Sequence, residues 1–259
     1  MMLVGCRRAD PPSRTETEHP TIVSLNPCAD AILAEIAQPG QLLAISHYSH
    51  DPEAASMPLD EALAYNATGG TAEEVLALAP DMVVADSFLA PSTRRALEQA
   101  GIAVETIGIA SSLEDSLSQI EALGKATGNE GRADVLSNRI AESWEAQQWH
   151  GERASAVLWQ QGGIVAGEGS LAHELLAQAG FASHSAARGL GQGAYLPLEE
   201  VLADPPQVVI TAGDERAFAH PAMADGVAQY ELSSSLLYCG GPTIPRALER
   251  LTQIRRAAG

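Results

Sequence analysis

The stretch TAEEVLALAPDMVVA, residues 71–85, decides the fold, because a second version of it occurs later in the chain. That second version reads LEEVLADPPQVVIT and spans residues 198–211. In both, two glutamates open a short segment with helical spacing, proline interrupts it, and a β-branched run follows. This order is typical of a short acidic helix, a break and a buried strand. Glu199 follows Glu73 by 126 residues (199 minus 73), so the sequence predicts two similar lobes with a ligand cleft between them.

Short β-branched runs recur along the chain and alternate with helical segments. The runs predicted as strands are residues 21–25, 42–46, 82–85, 104–107, 156–159 and 208–211. Helices are predicted over residues 31–37, with Asp30 near the N-cap, and over residues 92–99 and 244–257. This alternation indicates an α/β fold with mainly parallel sheets.

Residues 112–149 interrupt the alternation, because they carry no strand signal. Leu113, Leu117 and Ile120 recur at helical spacing, and a second helical pattern follows Gly128. A long helical spine that joins two lobes accounts for this stretch. The predicted organisation is a tether over residues 1–19, an N-terminal α/β lobe over 20–111, the spine over 112–150 and a C-terminal α/β lobe over 151–259.

The charge balance excludes several classes of partner. The 259-residue chain carries 33 acidic and 15 basic residues, for a net charge of −18 at pH 7. Such a surface repels nucleic acid and anionic lipid. No apolar run reaches the roughly 18 residues of a membrane-spanning helix. We therefore expect neither nucleic-acid binding nor a membrane span.

The N-terminus contains one candidate attachment site for lipid. Leu3-Val4-Gly5-Cys6 matches the processing pattern of bacterial lipoproteins, in which Cys6 becomes the lipidated first residue. The basic start and the apolar stretch of about 7 to 15 residues that precede such a site are absent, so a chance match stays open. The polar segment that follows is typical of a flexible tether between an anchor and a folded body.

The order of these segments resembles the periplasmic substrate-binding proteins of ABC importers, which have a rigid helical backbone and take up vitamin B12, ferric siderophores and haem. The resemblance covers about residues 21–257. It is greatest to vitamin B12-binding proteins, because Ser46-His47-Tyr48-Ser49-His50-Asp51-Pro52 is similar to their Ser-x-Tyr-Ser-x-x-Pro loop. Residues 70–85 and 199–211 match their two helix–proline–strand segments.

The resemblance implies a non-enzymatic, monomeric periplasmic protein without a resident cofactor. It would capture a small metal chelate, most closely a corrinoid, and deliver it to an inner-membrane ABC permease and its ATPase. In this family one glutamate on each lobe docks onto permease arginines, and these positions fall on Glu73 and Glu199. A carboxylate suits that task, because arginine binds it in a bidentate fork.

The resemblance also implies that the loops after the strands of each lobe line the cleft. Tyr48 matches the family's cleft tyrosine, whose ring can lie against a macrocycle while its hydroxyl bonds an amide. The predicted ligand-binding residues are Pro27, Cys28, His47, Tyr48, His50, Gly69, Phe88, Tyr195, Tyr238 and Cys239.

Departures from the vitamin B12 pattern leave a ferric siderophore or haem as the alternative ligand. The first cleft tryptophan of that pattern corresponds to Ala67 or Thr68, and the arginine of the last cleft loop aligns with Cys239. Only Arg188 and Arg216 lie near predicted loops of the second lobe, which argues against a highly anionic siderophore.

Two cysteines in cleft loops leave further interpretations open. Cys28 and Cys239 are either a disulfide across the lobes or two separate thiols. With His47 and His50 they are also a candidate metal-ligating set, although no metal site is predicted. A metal-dependent α/β hydrolase that uses His47, His50 and Asp51 is the alternative from a different class.

Overall fold

The chain forms two β-sheets that are connected by a pair of long helices, as a computed structural model that describes residues 19–213 and 227–259 shows. The predicted lipid-bearing Cys6 and the second predicted cleft arginine, Arg216, lie outside the described residues. The predicted boundaries between tether, lobes and spine stay predictions. Within the described ranges, no helix has both the length and the apolar character needed to cross a membrane.

The first sheet contains five strands in the order β3-β2-β1-β4-β5, and every neighbouring pair is parallel. Its strands are β1 (Ile22–Ser24), β2 (Leu42–Ser46), β3 (Ala67–Thr68), β4 (Met82–Asp86) and β5 (Ala103–Ile107). Its helices are α1 (Pro27–Ile36), α2 (Leu59–Ala62), α3 (Ala72–Leu78) and α4 (Pro91–Gln99).

Helix α1 begins earlier than the sequence predicted. The side chain of Asn26 accepts hydrogen bonds from the backbone N–H groups of Cys28 and Ala29, which makes Asn26 the N-cap. Pro27 then occupies the first helical position, where its missing N–H costs nothing. The predicted cap, Asp30, is instead buried inside the first turn.

Two long helices, α5 (Leu113–Thr127) and α6 (Glu130–Ala146), follow the first sheet and confirm the predicted helical stretch. Ser112 caps α5 by accepting from the N–H of Asp115, and Gly128 ends it in the left-handed conformation at φ 69°. A Cβ atom at Gly124 would lie 2.4 Å from the Cβ of Ala133. Glycine at this position therefore allows the two helices to pack closely.

The second sheet has the order β11-β10-β6-β7-β9, with β8 also paired to β6. Its strands are β6 (Ala154–Gln160), β7 (Ile164–Val165), β8 (Phe181–Ser183), β9 (Ala194–Tyr195), β10 (Val208–Ala212) and β11 (Ala228–Leu232), and its helices are α7 (Leu171–Gln178), α8 (Leu198–Ala203) and α9 (Thr243–Ala257). Strand β7 is antiparallel to its neighbours, because the chain reverses at Gly162 and Gly163, both at positive φ.

The internal repeat corresponds to α3–β4 in the first sheet and α8–β10 in the second. Strand β4 pairs with β1 and β10 pairs with β6, and each has one more parallel strand on its other side. Val75 of α3 and Val201 of α8 are both buried against the outer face of their sheet. The prediction of two similar, mainly parallel α/β lobes is therefore confirmed.

One continuous cluster of buried side chains joins the two sheets. It includes Ile22 and Ile32 of the first lobe, Ile140 of α6, and Leu158 and Leu251 of the second lobe. Within it, helix α6 contacts both α1 and α9. The lobes thus share a core, which favours a fixed relation between them.

A disulfide between Cys28 and Cys239 also joins the lobes, with 5.2 Å between the two Cα atoms. Cys28 lies in the first turn of α1, and Cys239 lies in the loop before α9. Beside it, an Nη1 atom of Arg246 donates to the carbonyl oxygen of Ser56, another contact between the lobes. Of the two interpretations of these cysteines, the structure contains the disulfide.

Loss of this disulfide will lower the free energy of unfolding. Replacing Cys28 and Cys239 with serine frees a loop whose ends are 211 residues apart in sequence. The unfolded chain then gains entropy, and we expect a loss of about 4 kcal/mol. Guanidinium unfolding of the wild type with and without reductant measures the effect. The double variant serves as the control, since reductant must leave it unchanged. Equal midpoints for reduced and oxidised wild type would contradict the prediction.

Candidate ligand-binding cleft

The parallel strands of each sheet end at one edge, and the loops after them border a cavity between the lobes. This cavity has a volume of about 1060 Å³. Its described lining residues are Pro52, Glu53, Gln160, Gln161, Ile164, Ala212, Gly213, Glu231, Leu232, Ser233, Ser234, Tyr238 and Arg250. Most lie at or just after the carboxyl ends of β6, β10 and β11, as expected for a ligand site at this edge of a sheet.

The wall of this cavity is largely polar, and its charged residues in the described structure are Glu53, Glu231 and Arg250. Gln160 and Gln161 supply amides, and Ser233 and Ser234 supply hydroxyls. Arg250 is the one cation among the described lining residues, and its Nε and Nη2 atoms donate to the carbonyl oxygen of Glu231 at 3.2 and 2.9 Å. The cavity therefore offers many hydrogen-bonding groups and little positive charge.

A second, smaller cavity of about 100 Å³ lies beside the disulfide. Phe88 and Gly108, after β4 and β5, line it together with Cys28 and Tyr238. Tyr238 lines both cavities. Its ring therefore lies between the first-lobe and second-lobe parts of the cleft.

Four aromatic side chains predicted to bind ligand are exposed at this edge. The exposed fraction is 54% for Tyr48, 81% for Phe88, 63% for Tyr195 and 56% for Tyr238. Tyr48 follows β2 and Phe88 follows β4, whereas Tyr195 pairs with Ile164 of the cavity wall. Exposed apolar side chains that form a contiguous patch mark a binding surface, whereas isolated ones are an ordinary surface feature.

Tyr48 lies in a short 3₁₀ segment after β2, and residues 46–50 are called the tyrosine turn below. The Nδ1 atom of His47 lies 3.3 Å from the carbonyl oxygen of Thr68, and the Nε2 atom of His50 lies 3.1 Å from that of Ala62. The rings of His47 and Tyr48 are 4.1 Å apart between centroids. In the described structure, the Tyr48 hydroxyl makes no hydrogen bond and is available to a ligand.

The candidate metal-ligating set of two histidines and two cysteines is wrong. Cys28 and Cys239 are bonded to each other, so neither sulfur is a free thiolate. His47 and His50 each direct a ring nitrogen at a backbone carbonyl. Across the described ranges, no group of three His, Cys, Asp or Glu side chains could hold a metal ion.

The remaining predicted ligand residues lie at the same edge, but the contacts they make are with other parts of the protein. Pro27 and Cys28 open α1, Cys239 is buried, and the N–H of Gly69 donates to Glu74 Oε2 at 2.6 Å. A ligand role for these residues stays a prediction.

Arg188, which lies near a predicted loop of the second lobe, is not among the residues that line the cavity. Its Nη2 atom lies 2.5 Å from Asp204 Oδ2, and its Nη1 atom donates to the carbonyl oxygen of His184. This arginine therefore binds its own lobe, which leaves the described cleft with less positive charge than expected.

The two glutamates that open α3 differ in their contacts. Glu74 Oε2 accepts from Thr68 Oγ1 at 2.8 Å and from the N–H of Gly69, and these bonds lower the pKa of Glu74. Glu73 is exposed and has no bonded partner among the described residues. Glu73 is thus the carboxylate free to contact another protein. Glu199 of α8 is exposed in the same way.

Asp30, predicted only as a residue near the helix N-cap, is fully buried. Asp30 Oδ2 accepts from the N–H of Ser46 at 3.0 Å and from Ser49 Oγ at 2.6 Å. Burial raises the pKa of Asp30 to about 7, although the polar groups of Ser24, Ser49 and Ser46 beside it act in the opposite direction. An acid four residues after Asn26 resembled a cap, and no local signal showed that it reaches the next strand.

A sequence profile of the periplasmic binding protein family matches residues 22–236. No curated protein sequence matches the chain at a significant level. The haem-binding protein RhuT from Roseiflexus sp. RS-1, in its apo form, superposes with a TM-score of 0.74 at 20% identity, covering 92% of this chain and 99% of that one. The vitamin B12-binding protein BtuF of Vibrio cholerae gives 0.69 at 20% identity, with 92% and 97% covered. At these identities the two structures show the fold alone.

The pKa of Asp30 predicts how stability depends on pH. The folded chain holds the proton of Asp30 more tightly than the unfolded chain does. The contribution of this proton to the free energy of unfolding is therefore complete below pH 3.8 and is lost as pH rises to about 7. Asp30→Asn cannot ionise, so it should not show this pH-dependent fall in the free energy of unfolding, which in the wild type amounts to about 4 kcal/mol at most. Urea unfolding from pH 4 to 8 measures it, with Asp60→Asn, an exposed aspartate of α2, as the control. Parallel pH profiles for wild type and Asp30→Asn would contradict the prediction.

Proposed function

This chain belongs to the periplasmic binding protein family, and we propose that it binds a corrinoid in the cleft between its lobes and delivers it to an inner-membrane ABC permease. The family comprises substrate-binding proteins of ABC importers, which act outside the cytoplasm. One observation carries the choice of ligand: the described lining of the cavity of about 1060 Å³ offers amides, hydroxyls and the carboxylates of Glu53 and Glu231, with Arg250 as its one cation.

The chemistry of that lining suits a ligand with a neutral polar rim. The edge of a corrin ring carries amide side chains, which exchange hydrogen bonds with groups such as Gln160 and Ser233. Haem has carboxylates and many ferric siderophores are anionic, so both favour sites with arginine or lysine. Arg250, the described cation of this wall, donates to a backbone carbonyl of its own lobe. The wall therefore favours a corrinoid over its anionic alternatives.

The exposed aromatic rings supply the apolar part of the site. Tyr48 and Phe88 come from the first lobe, and Tyr195 and Tyr238 come from the second. A flat macrocycle buries much apolar area against such rings, and each ring loses little conformational entropy on binding. These four rings stand in for the tryptophans that the vitamin B12 pattern has elsewhere.

The shared core and the disulfide support a largely preformed cleft. A continuous set of buried side chains runs from the first sheet through α6 to the second, and Cys28 is bonded to Cys239. A large hinge rotation would disrupt this packing. We expect closure on ligand to be small, as in most small-molecule sites that are formed in advance.

The two ends of the cleft each offer one carboxylate to the permease. Glu73 and Glu199 open helices α3 and α8, which cover the outer faces of the two sheets. Each is exposed, while the valine two positions later is buried. Permease arginines that bind both carboxylates would hold the cleft over the entrance of the transport path.

Titration with cyanocobalamin tests the ligand. Isothermal titration calorimetry of the wild type is expected to show saturable one-to-one binding at micromolar affinity or tighter. Tyr48→Ala should weaken it roughly tenfold, because a ring and a hydroxyl contact are lost. Val135→Ala removes an exposed apolar side chain on α6 far from the cleft and is the control. Absence of binding by cyanocobalamin together with binding of haemin or a ferric siderophore would overturn the corrinoid proposal.

Permease docking is tested with neighbouring glutamates. Glu73→Gln and Glu199→Gln each remove a carboxylate and should weaken binding to the permease complex about tenfold, the loss expected for one charge-assisted contact. Surface plasmon resonance on the reconstituted complex measures this. Glu74→Gln and Glu200→Gln are the matched controls, since each lies one residue further along the same helix. Equal losses in all four variants would show that net charge, and not these two positions, governs docking.

A further inference from the structure

The carboxyl group of Asp30 is buried without a charged partner. Its side chain is fully buried, and its Oδ1 atom has no hydrogen bond within the described structure. Removing a carboxyl group from water is costly unless bonds compensate for it. The bonds that do form are to Oδ2, from the N–H of Ser46 and from Ser49 Oγ. Both donors belong to the tyrosine turn.

The tyrosine turn is held in place from three sides. Ser46 and Ser49 are buried and bind Asp30 below the turn. His47 lies against the carbonyl oxygen of Thr68 on β3, and His50 lies against the carbonyl oxygen of Ala62 at the end of α2. Every side chain of residues 46–50 except that of Tyr48 is therefore held by a polar contact.

We propose that Asp30 is a positioning residue that holds the tyrosine turn so that Tyr48 is presented to the ligand in a fixed orientation. The inference rests on the proposed function, because it concerns the same cleft. A turn that is ordered before binding spares the ligand the entropic cost of ordering it. Asp30 does not touch the ligand in this arrangement and acts only through Ser46 and Ser49.

The position of Asp30 on α1 connects this turn with the opposite lobe. Asp30 lies two residues after Cys28, whose disulfide partner follows Tyr238 directly. The first turn of α1 thus anchors one exposed cleft tyrosine from each lobe. This placement gives a reason for a buried carboxyl group at a point where an apolar residue would pack at lower cost.

The groups that contact the carboxyl are neutral. They are Ser24 at the end of β1 and Ser46 and Ser49 in the tyrosine turn. His47 and His50 are the other titratable groups of the turn, and both face backbone carbonyls. Any opening that exposes the turn to water lets the carboxyl ionise at its usual pKa, which ionisation inside the protein does not match. The turn should therefore be held less tightly above pH 7 than below it.

Hydrogen exchange tests the positioning role without any ligand. In Asp30→Ala, amides of residues 46–50 should exchange about tenfold faster, because a buried acceptor is lost. Ser49→Ala should give a smaller increase in the same segment. Asp60→Asn is the control and should change nothing there. If Asp30→Ala leaves exchange of this segment unchanged, or raises it equally throughout the chain, the positioning role is refuted.

Ligand titration tests the consequence for binding, with cyanocobalamin and haemin as the probes. Ser49→Ala and Asp30→Ala should weaken the probe that binds by roughly tenfold, whereas Asp30→Asn keeps an acceptor and should restore most of the affinity. Between pH 6 and 8, wild-type affinity should fall relative to that of Asp30→Asn, because only the wild type ionises at this position. Both proteins retain His47 and His50, so the difference reports Asp30.

Hydrogen exchange and ligand titration together distinguish a failure of this inference from a failure of the proposed function. If neither probe binds the wild type, the proposed ligand classes are wrong, and hydrogen exchange alone decides whether Asp30 holds the turn. If a probe binds and Asp30→Ala alters exchange without altering affinity, Asp30 is only a structural residue. That outcome overturns the inference and leaves the proposed function intact.

Discussion

The shared apolar core between the two sheets is the constraint on which the rest of the structure depends. Side chains from both sheets and from α1, α6 and α9 form one buried cluster. Close-packed interiors resist deformation, so the distance between the lobes follows from this packing. The disulfide between Cys28 and Cys239 adds a covalent link at the floor of the cleft. The cleft is therefore a feature of the packed core and not a gap between two independent bodies.

Helix α1 connects the shared core with the ligand site. It packs in the shared core through residues such as Ile32 and Leu33, while its first turn carries Cys28 and Asp30. The polar and aromatic residues of the site lie in loops at the carboxyl ends of the strands, because surface loops are less constrained by core packing. On the outer faces of the sheets, α3 and α8 each bury one valine and expose one glutamate. The same repeat therefore supplies both a strand of each lobe and the exposed carboxylate on its surface.

Features with local or repeated signals could be predicted from the sequence. The repeat around Glu73 and Glu199 predicted two lobes, and the helical spacing of residues 112–149 predicted the pair α5 and α6. Strands β3, β7 and β9 have two residues each, too few for a periodic pattern. The cap of α1 was misplaced by four residues, because Asn26 and Asp30 are both good capping residues and only contacts distinguish them.

The sequence by itself determined the α/β class, the duplicated lobes and the candidate cleft loops, because each depends on short-range periodicity or on repetition. Tertiary structure alone decided which side chains of those loops are available to a ligand. It joined Cys28 to Cys239, turned Arg188 toward Asp204, and placed Asp30 beneath the tyrosine turn. Each of these contacts is set by how elements pack, and side chains distant in sequence leave no local pattern that would reveal their meeting.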